Sequence, residues 1–297
     1  MRIVITGVNG LVGQKLSERL VSSGHLVGGI DIQPSAFLSL PIQYQALNIT
    51  SRKSTVDSIK VFRPEIIIHC AAMTAVDACE TERELCWKVN VDGTENVCIG
   101  AERTNARVIY ISTDYVFDGE NGPYSETDNP NPSGYYAKSK LAGENVVRGA
   151  GEFNTVIRSI VIYGYGKNIK SSFITWLLGE LRAGRKVRIV NDQWGNSTIA
   201  EDLAEGIDKL IDSGKSGIYH MGGATFVNRY EMAIATARFF NLDETLISPI
   251  STEELKQPAK RPLRSGLITA KAEAELSCQF RTIEASLAIY KSCEEQS

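Results

Sequence analysis

Short runs of β-branched residues alternate with amphipathic stretches through the first half of the chain. The runs predict strands over 2–6, 27–31, 43–47, 65–71, 107–112 and 154–160. Apolar positions recurring at helical spacing predict helices over 11–22, 51–60, 84–104, 136–149 and 171–184. Runs such as Glu65-Ile66-Ile67-Ile68-His69-Cys70 are apolar at odd and even positions alike, the pattern of a parallel strand covered on both faces. Alternation of this kind predicts an α/β fold with a doubly wound, Rossmann-like parallel sheet.

The rhythm loosens after about residue 160. Strands over 187–191 and 217–221 and helices over 199–213, 228–240 and 281–294 follow. This predicts a Rossmann domain over 1–164, with segments near 199–220 returning to it. A smaller, discontinuous α/β substrate lobe is expected mainly within 165–297.

The totals narrow the class. The 297 residues suffice for a sizeable core, and 43% hydrophobic with 23% charged residues is ordinary for a globular protein. A net charge of −3 gives no reason to expect nucleic acid or an anionic membrane as partner. The six cysteines form no Cys-x-x-Cys pair and there are only three histidines, so no metal site is expected. The cysteines fit a reducing cytoplasm. No signal peptide precedes Met1-Arg2-Ile3-Val4-Ile5, and no apolar run is long enough to span a bilayer.

Chemistry enters at the first turn. Gly7, Gly10 and Gly13 follow a strand and open a helix, with Asn9, Leu11 and Val12 between and beside them. Such a turn allows a pyrophosphate to approach the backbone and meet the helix N-terminus. Asp31 ends the second strand, where a carboxylate accepts the adenosine ribose hydroxyls and repels a 2′-phosphate. No basic residue occurs in the segment from Ile32 to Ala36. NADH is therefore expected over NADPH, which Arg52 and Lys53 leave open.

The run Gly134-Tyr135-Tyr136-Ala137-Lys138-Ser139-Lys140 supplies the second constellation. Tyr136 and Lys140 are four apart in a run of good helix formers, so they share one face. A second pair at this spacing, Tyr163 and Lys167, spans Gly164 and Gly166 and reads as loop. Hydride addition to a ketone leaves negative charge on oxygen, which needs a proton. A phenol is too weak an acid unless a nearby ammonium lowers its pKa, the role expected of Lys140. Thr113, at the end of the fifth strand, is expected to donate to the carbonyl oxygen.

With these motifs the chain resembles the extended short-chain dehydrogenase/reductases, and within them the dTDP-4-dehydrorhamnose reductase family. The resemblance rests on Thr6 to Gly13, on Met73-Thr74-Ala75-Val76-Asp77 with Glu80, and on Ser112 to Gly119. It continues through Glu126-Thr127-Asp128, Tyr136 to Glu144, Asn191-Asp192-Gln193-Trp194-Gly195 and Ala200 to Ala204. It implies Thr113, Tyr136 and Lys140 as catalytic residues, with Cys70, Ala71, Ala72 and Asn90 along the cofactor. It implies a nucleotide-sugar pocket between lobes, reached by Met73, Asp114, Tyr115, Val161, Asn168, Trp194 and Arg261. Relatives that dehydrate sugars carry Asp-Glu after the threonine; here the pair is Asp114-Tyr115, which disfavours dehydration. The reductases commonly carry tryptophan where Val161 stands, and His or Tyr where Met73 stands.

The implied activity is reduction of a nucleotide-linked 4-keto-6-deoxyhexose. The alternatives are a nucleotide-sugar epimerase, or a non-catalytic subunit like that regulating methionine adenosyltransferase. A homodimer is common among relatives and is left open.

Overall fold

The computed structural model describes residues 1–296. Seven parallel strands form the central sheet: β1 (Arg2–Thr6), β2 (Leu26–Asp31), β3 (Gln43–Ala46), β4 (Ile66–His69), β5 (Arg107–Thr113), β6 (Thr155–Ser159) and a seventh over Gly217–Met221. Their spatial order is seventh, β6, β5, β4, β1, β2, β3. The order reverses between β1 and β4, and ligands in such sheets bind beyond the carboxyl ends at that reversal.

The doubly apolar strands divide their side chains as their alternation requires. Ile3, Ile5, Ile66 and Ile68 join one core with Leu16 and Leu20 of the first helix (Leu11–Ser22) and Leu203, Ile207 and Leu210 of the helix Ala200–Ser213. Val4 and Ile67 face the other core, with Ile59, Val97, Val108 and Val147. The helix Ala200–Ser213 thus packs on the main sheet, and the strand after it pairs in register with β6.

A second packed body lies beside the sheet. Ile174, Leu178, Met232, Leu287 and Tyr290 form one cluster in it; Leu177, Leu181, Val187, Ile189 and Ile247 form another. Small ladders tie its segments together, including Val187–Val190 with Ile247–Ile250 and Trp194–Gly195 with Val227–Asn228.

One predicted element differs in kind. The helix expected over 84–104 is three pieces: Arg83–Trp87, a π-helical turn over Lys88–Asp92, and Gly93–Glu102. A π-turn inserts one extra residue into a helix without a capping side chain to mark it, so the run of helix formers reads as continuous. A short helix over Val76–Thr81 is also present and was not expected.

Candidate active site

The glycine turn is shaped by close contacts. Gly7 sits at φ +69, and a Cβ there would meet the Ala71 nitrogen at 2.8 Å; a Cβ on Gly13 would meet the Gly7 carbonyl oxygen at 2.4 Å. The helix that follows has Gly10 at its cap and no side chain bonded to its first amides, whereas Ser172 and Asn228 cap theirs. An exposed, uncapped helix N-terminus of this kind suits a phosphate. The residues therefore fit a dinucleotide.

Asp31 accepts from the backbone amides of Asn9 at 3.1 Å and Gln33 at 3.2 Å. Asn9 itself is buried, and its side chain bonds Ser35, Phe37 and Tyr44, holding the loop after β2. Ile32, just beyond Asp31, is 69% exposed. Leu11 and Gln14 face the segment after Tyr163: Leu11 lies beside Gly164 and Gly166, and Gln14 exchanges hydrogen bonds with the Lys167 backbone. Tyr163 is buried in a two-residue strand and Lys167 lies in the loop, so this second Tyr/Lys pair shares no helix face.

A buried polar chain crosses beneath the turn. The Thr94 hydroxyl donates to the Asn90 carbonyl at 2.7 Å, so it must accept from His69 Nε2, 3.0 Å away. The other ring nitrogen, Nδ1, then accepts from the Thr6 hydroxyl at 2.7 Å. This fixes one tautomer of a neutral ring, in keeping with burial that pushes the His69 pKa down to about 3. Asn90, in the π-turn, clamps the Met73 backbone with both amide atoms and donates to Ser139 at 2.9 Å. The segment Cys70-Ala71-Ala72-Met73 is thereby fixed between β4 and the helix carrying Tyr136.

That helix, Tyr135–Gly149, turns Tyr136, Ser139, Lys140 and Glu144 inward and leaves Lys138 exposed. Thr113 arrives from the end of β5, and Tyr136, Lys140 and Thr113 are all buried. Burial pushes the Tyr136 phenol above its ordinary pKa, while the nearby Thr113 hydroxyl pulls the other way. Lys140 donates to the Ile111 carbonyl at 2.7 Å and stands 4.0 Å over the Tyr110 ring. Burial lowers the Lys140 pKa to about 7, against which the nearby Glu144 works. The lysine's depression and the phenol's elevation share one cause, removal of both groups from water.

Glu144 anchors this helix to the sheet. Its carboxylate accepts from Arg158 Nε at 3.0 Å and Nη2 at 2.7 Å, and from the Ser112 hydroxyl at 2.5 Å. The glutamate side chain is 0% exposed and the arginine 2%. A buried fork of this kind fixes β5, β6 and the helix relative to one another.

Beyond Thr113 lies a small cavity walled by Asp114, Tyr115, Val161, Trp194, Arg229 and Ser265, among others. The Tyr115 ring meets Tyr136 edge-on, with centroids 6.0 Å apart. Asp114 accepts from Ser265 at 2.5 Å and Thr113 at 3.1 Å; burial raises its pKa to about 6 despite these bonds. Val161 has φ 39, a backbone state that a β-branched residue adopts only under strain. Arg261 pairs with Asp77 at 2.9 Å, beside Pro262 of the cavity wall. Asn168, expected in the pocket, is exposed at φ 51 and does not line this cavity. Its left-handed turn suits an asparagine at the surface.

Sequence reasoning missed Arg229 and Ser265. The only local signal for Arg229 was the capping pattern Asn228-x-x-Glu231, which marks a helix start and no function. Among the described residues no cluster of His, Cys, Asp and Glu is arranged to hold a metal, and no helix is long and apolar enough to cross a membrane.

A glycine turn without a cap, and a threonine, a tyrosine and a lysine gathered at the carboxyl edge of a parallel sheet, define a short-chain dehydrogenase/reductase of the extended kind. The chain belongs to the family described as RmlD substrate binding domain, whose model matches residues 1–292. It is 33% identical over 267 residues to the spore coat polysaccharide biosynthesis protein SpsK of Bacillus subtilis (strain 168), covering 90% of this chain and 88% of that one. It is 31% identical to methionine adenosyltransferase 2 subunit beta of Bos taurus, covering 92% of this chain and 81% of that one. The structure of dTDP-4-dehydrorhamnose reductase from Bacillus anthracis str. Ames in complex with NADP superposes with a TM-score of 0.88, at 30% identity and 98% coverage of both chains.

Proposed function

We propose that the protein reduces a nucleotide-linked 4-keto-6-deoxyhexose, with dTDP-4-dehydro-L-rhamnose as substrate and NADH as reductant. The observation that carries this reading is the placement of Tyr136 and Lys140 one turn apart on a buried helix face, with the buried Thr113 beside the phenol. The likeness to the Bacillus anthracis reductase supports the substrate class.

A nicotinamide cofactor held there would supply the hydride that the carbonyl carbon takes. Tyr136 holds the proton that the developing alkoxide takes, and Thr113 orients the oxygen. The high pKa of the buried phenol keeps that proton in place until charge appears. Lys140 supplies the ammonium that makes the phenolate tolerable. Gly10 and the open first turn receive the pyrophosphate, and Asp31 the adenosine ribose. That carboxylate is the basis for placing NADH before NADPH, the cofactor in the Bacillus anthracis complex.

The test is oxidation of NADH, and separately of NADPH, by the purified protein with dTDP-4-dehydro-L-rhamnose generated in situ. Turnover with NADH at least about tenfold more efficient than with NADPH is expected, a difference of about 1.4 kcal/mol. Equal efficiencies would remove Asp31 from cofactor choice, and no turnover with either would remove the substrate.

The likeness to methionine adenosyltransferase 2 subunit beta favours one second reading, a regulatory subunit. Co-purification with a larger enzyme, without ketone reduction, would select it.

A further inference from the structure

Arg229 opens the helix Arg229–Phe239 and forms part of the cavity wall beside Asp114 and Tyr115. Its backbone amide donates to the Gln193 carbonyl at 3.2 Å, and its guanidinium lies 5.4 Å from the Phe173 ring centre. The Nη1 atom is closed off from solvent and has no hydrogen-bond partner. Burial depresses the guanidinium pKa, although the nearby Tyr115 and Asp114 act to raise it. Arginine nevertheless keeps its proton in proteins, so the charge remains and its enclosed Nη1 needs an acceptor.

The nearby acids are already engaged. Asp114 is bonded to Ser265 and Thr113. Asp77 is paired with Arg261. Neither carboxylate hydrogen-bonds the Arg229 guanidinium, whose Nη1 is left unpaired and whose planar fork matches a phosphate.

We propose that Arg229 receives a phosphate oxygen of the nucleotide-linked sugar. The proposal rests on the reading above: a 6-deoxyhexose carries no charge, so the diphosphate is the only anion its nucleotide conjugate brings. The diphosphate is unchanged by reduction at the ketone, so Arg229 holds ground state and transition state alike. Its loss therefore appears in KM and leaves kcat unchanged.

Calorimetric titration of the full chain with dTDP, UDP and thymidine tests this. Arg229→Gln should weaken nucleoside diphosphate binding about 10- to 100-fold, and Arg229→Lys should recover part of it. Thymidine and NADH binding should match wild type, which also shows that each variant is folded. Where Arg229→Gln does not fold, Arg229→Lys carries the test through a smaller loss confined to the diphosphates. Wild-type affinity for dTDP or UDP in both variants would overturn the role of Arg229 and leave the reductase reading standing. Failure of the wild type to bind either diphosphate would overturn both.

Discussion

The two walls of the site differ in how their cationic side chains are met. On the helix Tyr135–Gly149, Ser139, Lys140 and Glu144 all meet protein partners: the Tyr136 and Asn90 backbone-and-amide pair, the Ile111 carbonyl, and the Arg158 fork. On the opposite wall Arg229 Nη1 has none, and Val161 holds a strained backbone. The first wall is organised before any ligand arrives, as stabilisation of a transition state requires. The second leaves a guanidinium nitrogen unpaired, which on the proposed reading a bound anion would complete.

The largest effect should come from the organised wall. Tyr136→Phe keeps the packing and removes the proton, so turnover should fall about 10²- to 10⁴-fold with NADH binding retained. Single-turnover kinetics checks this, and unchanged turnover would show that the proton comes from elsewhere.

Next is the anchor. Glu144→Ala leaves Arg158 charged and buried without its partner, which should cost about 3–5 kcal/mol in urea unfolding. A loss below about 1 kcal/mol would mean that water reaches Arg158 and that this wall is less closed than its burial indicates.

The most gradual effect is a slope with pH. Lys140 has an ordinary pKa of 10.5 in the unfolded chain and about 7 when folded. Between those values the unfolded chain holds the extra proton, so Lys140 makes stability rise with pH. The penalty for burying the ammonium is fully present below pH 7 and is relieved as pH climbs through that value. Thermal melts of the ligand-free protein should therefore show wild type gaining on Lys140→Met from pH 7 to 10. A constant difference would mean that the folded lysine keeps its proton throughout.

The same contrast explains what could be read in the sequence. The organised wall is local: Tyr136 and Lys140 lie within one helical turn, and Ile66, Ile67 and Ile68 declare a strand apolar on both faces. The cavity wall joins Asp114, Val161, Trp194, Arg229 and Ser265 from distant parts of the chain. Two-residue ladders such as Trp194–Gly195 with Val227–Asn228 bring Arg229 there, and two residues carry no periodicity to detect. The π-turn holding Asn90 was hidden for a related reason, since a single inserted residue brings no capping signal of its own.

Gly143 adds a constraint on descent. A methyl group there would meet the Tyr110 hydroxyl at 2.3 Å and the Asn90 carbonyl at 3.0 Å, both fixed in the interior. Any larger residue must lift the helix, and with it Tyr136 and Lys140 together. The acid and its cation are thus inherited as one block, locked by the glycine beneath them. The far wall is the open ground for change, since Val161 and Arg229 lie outside that block.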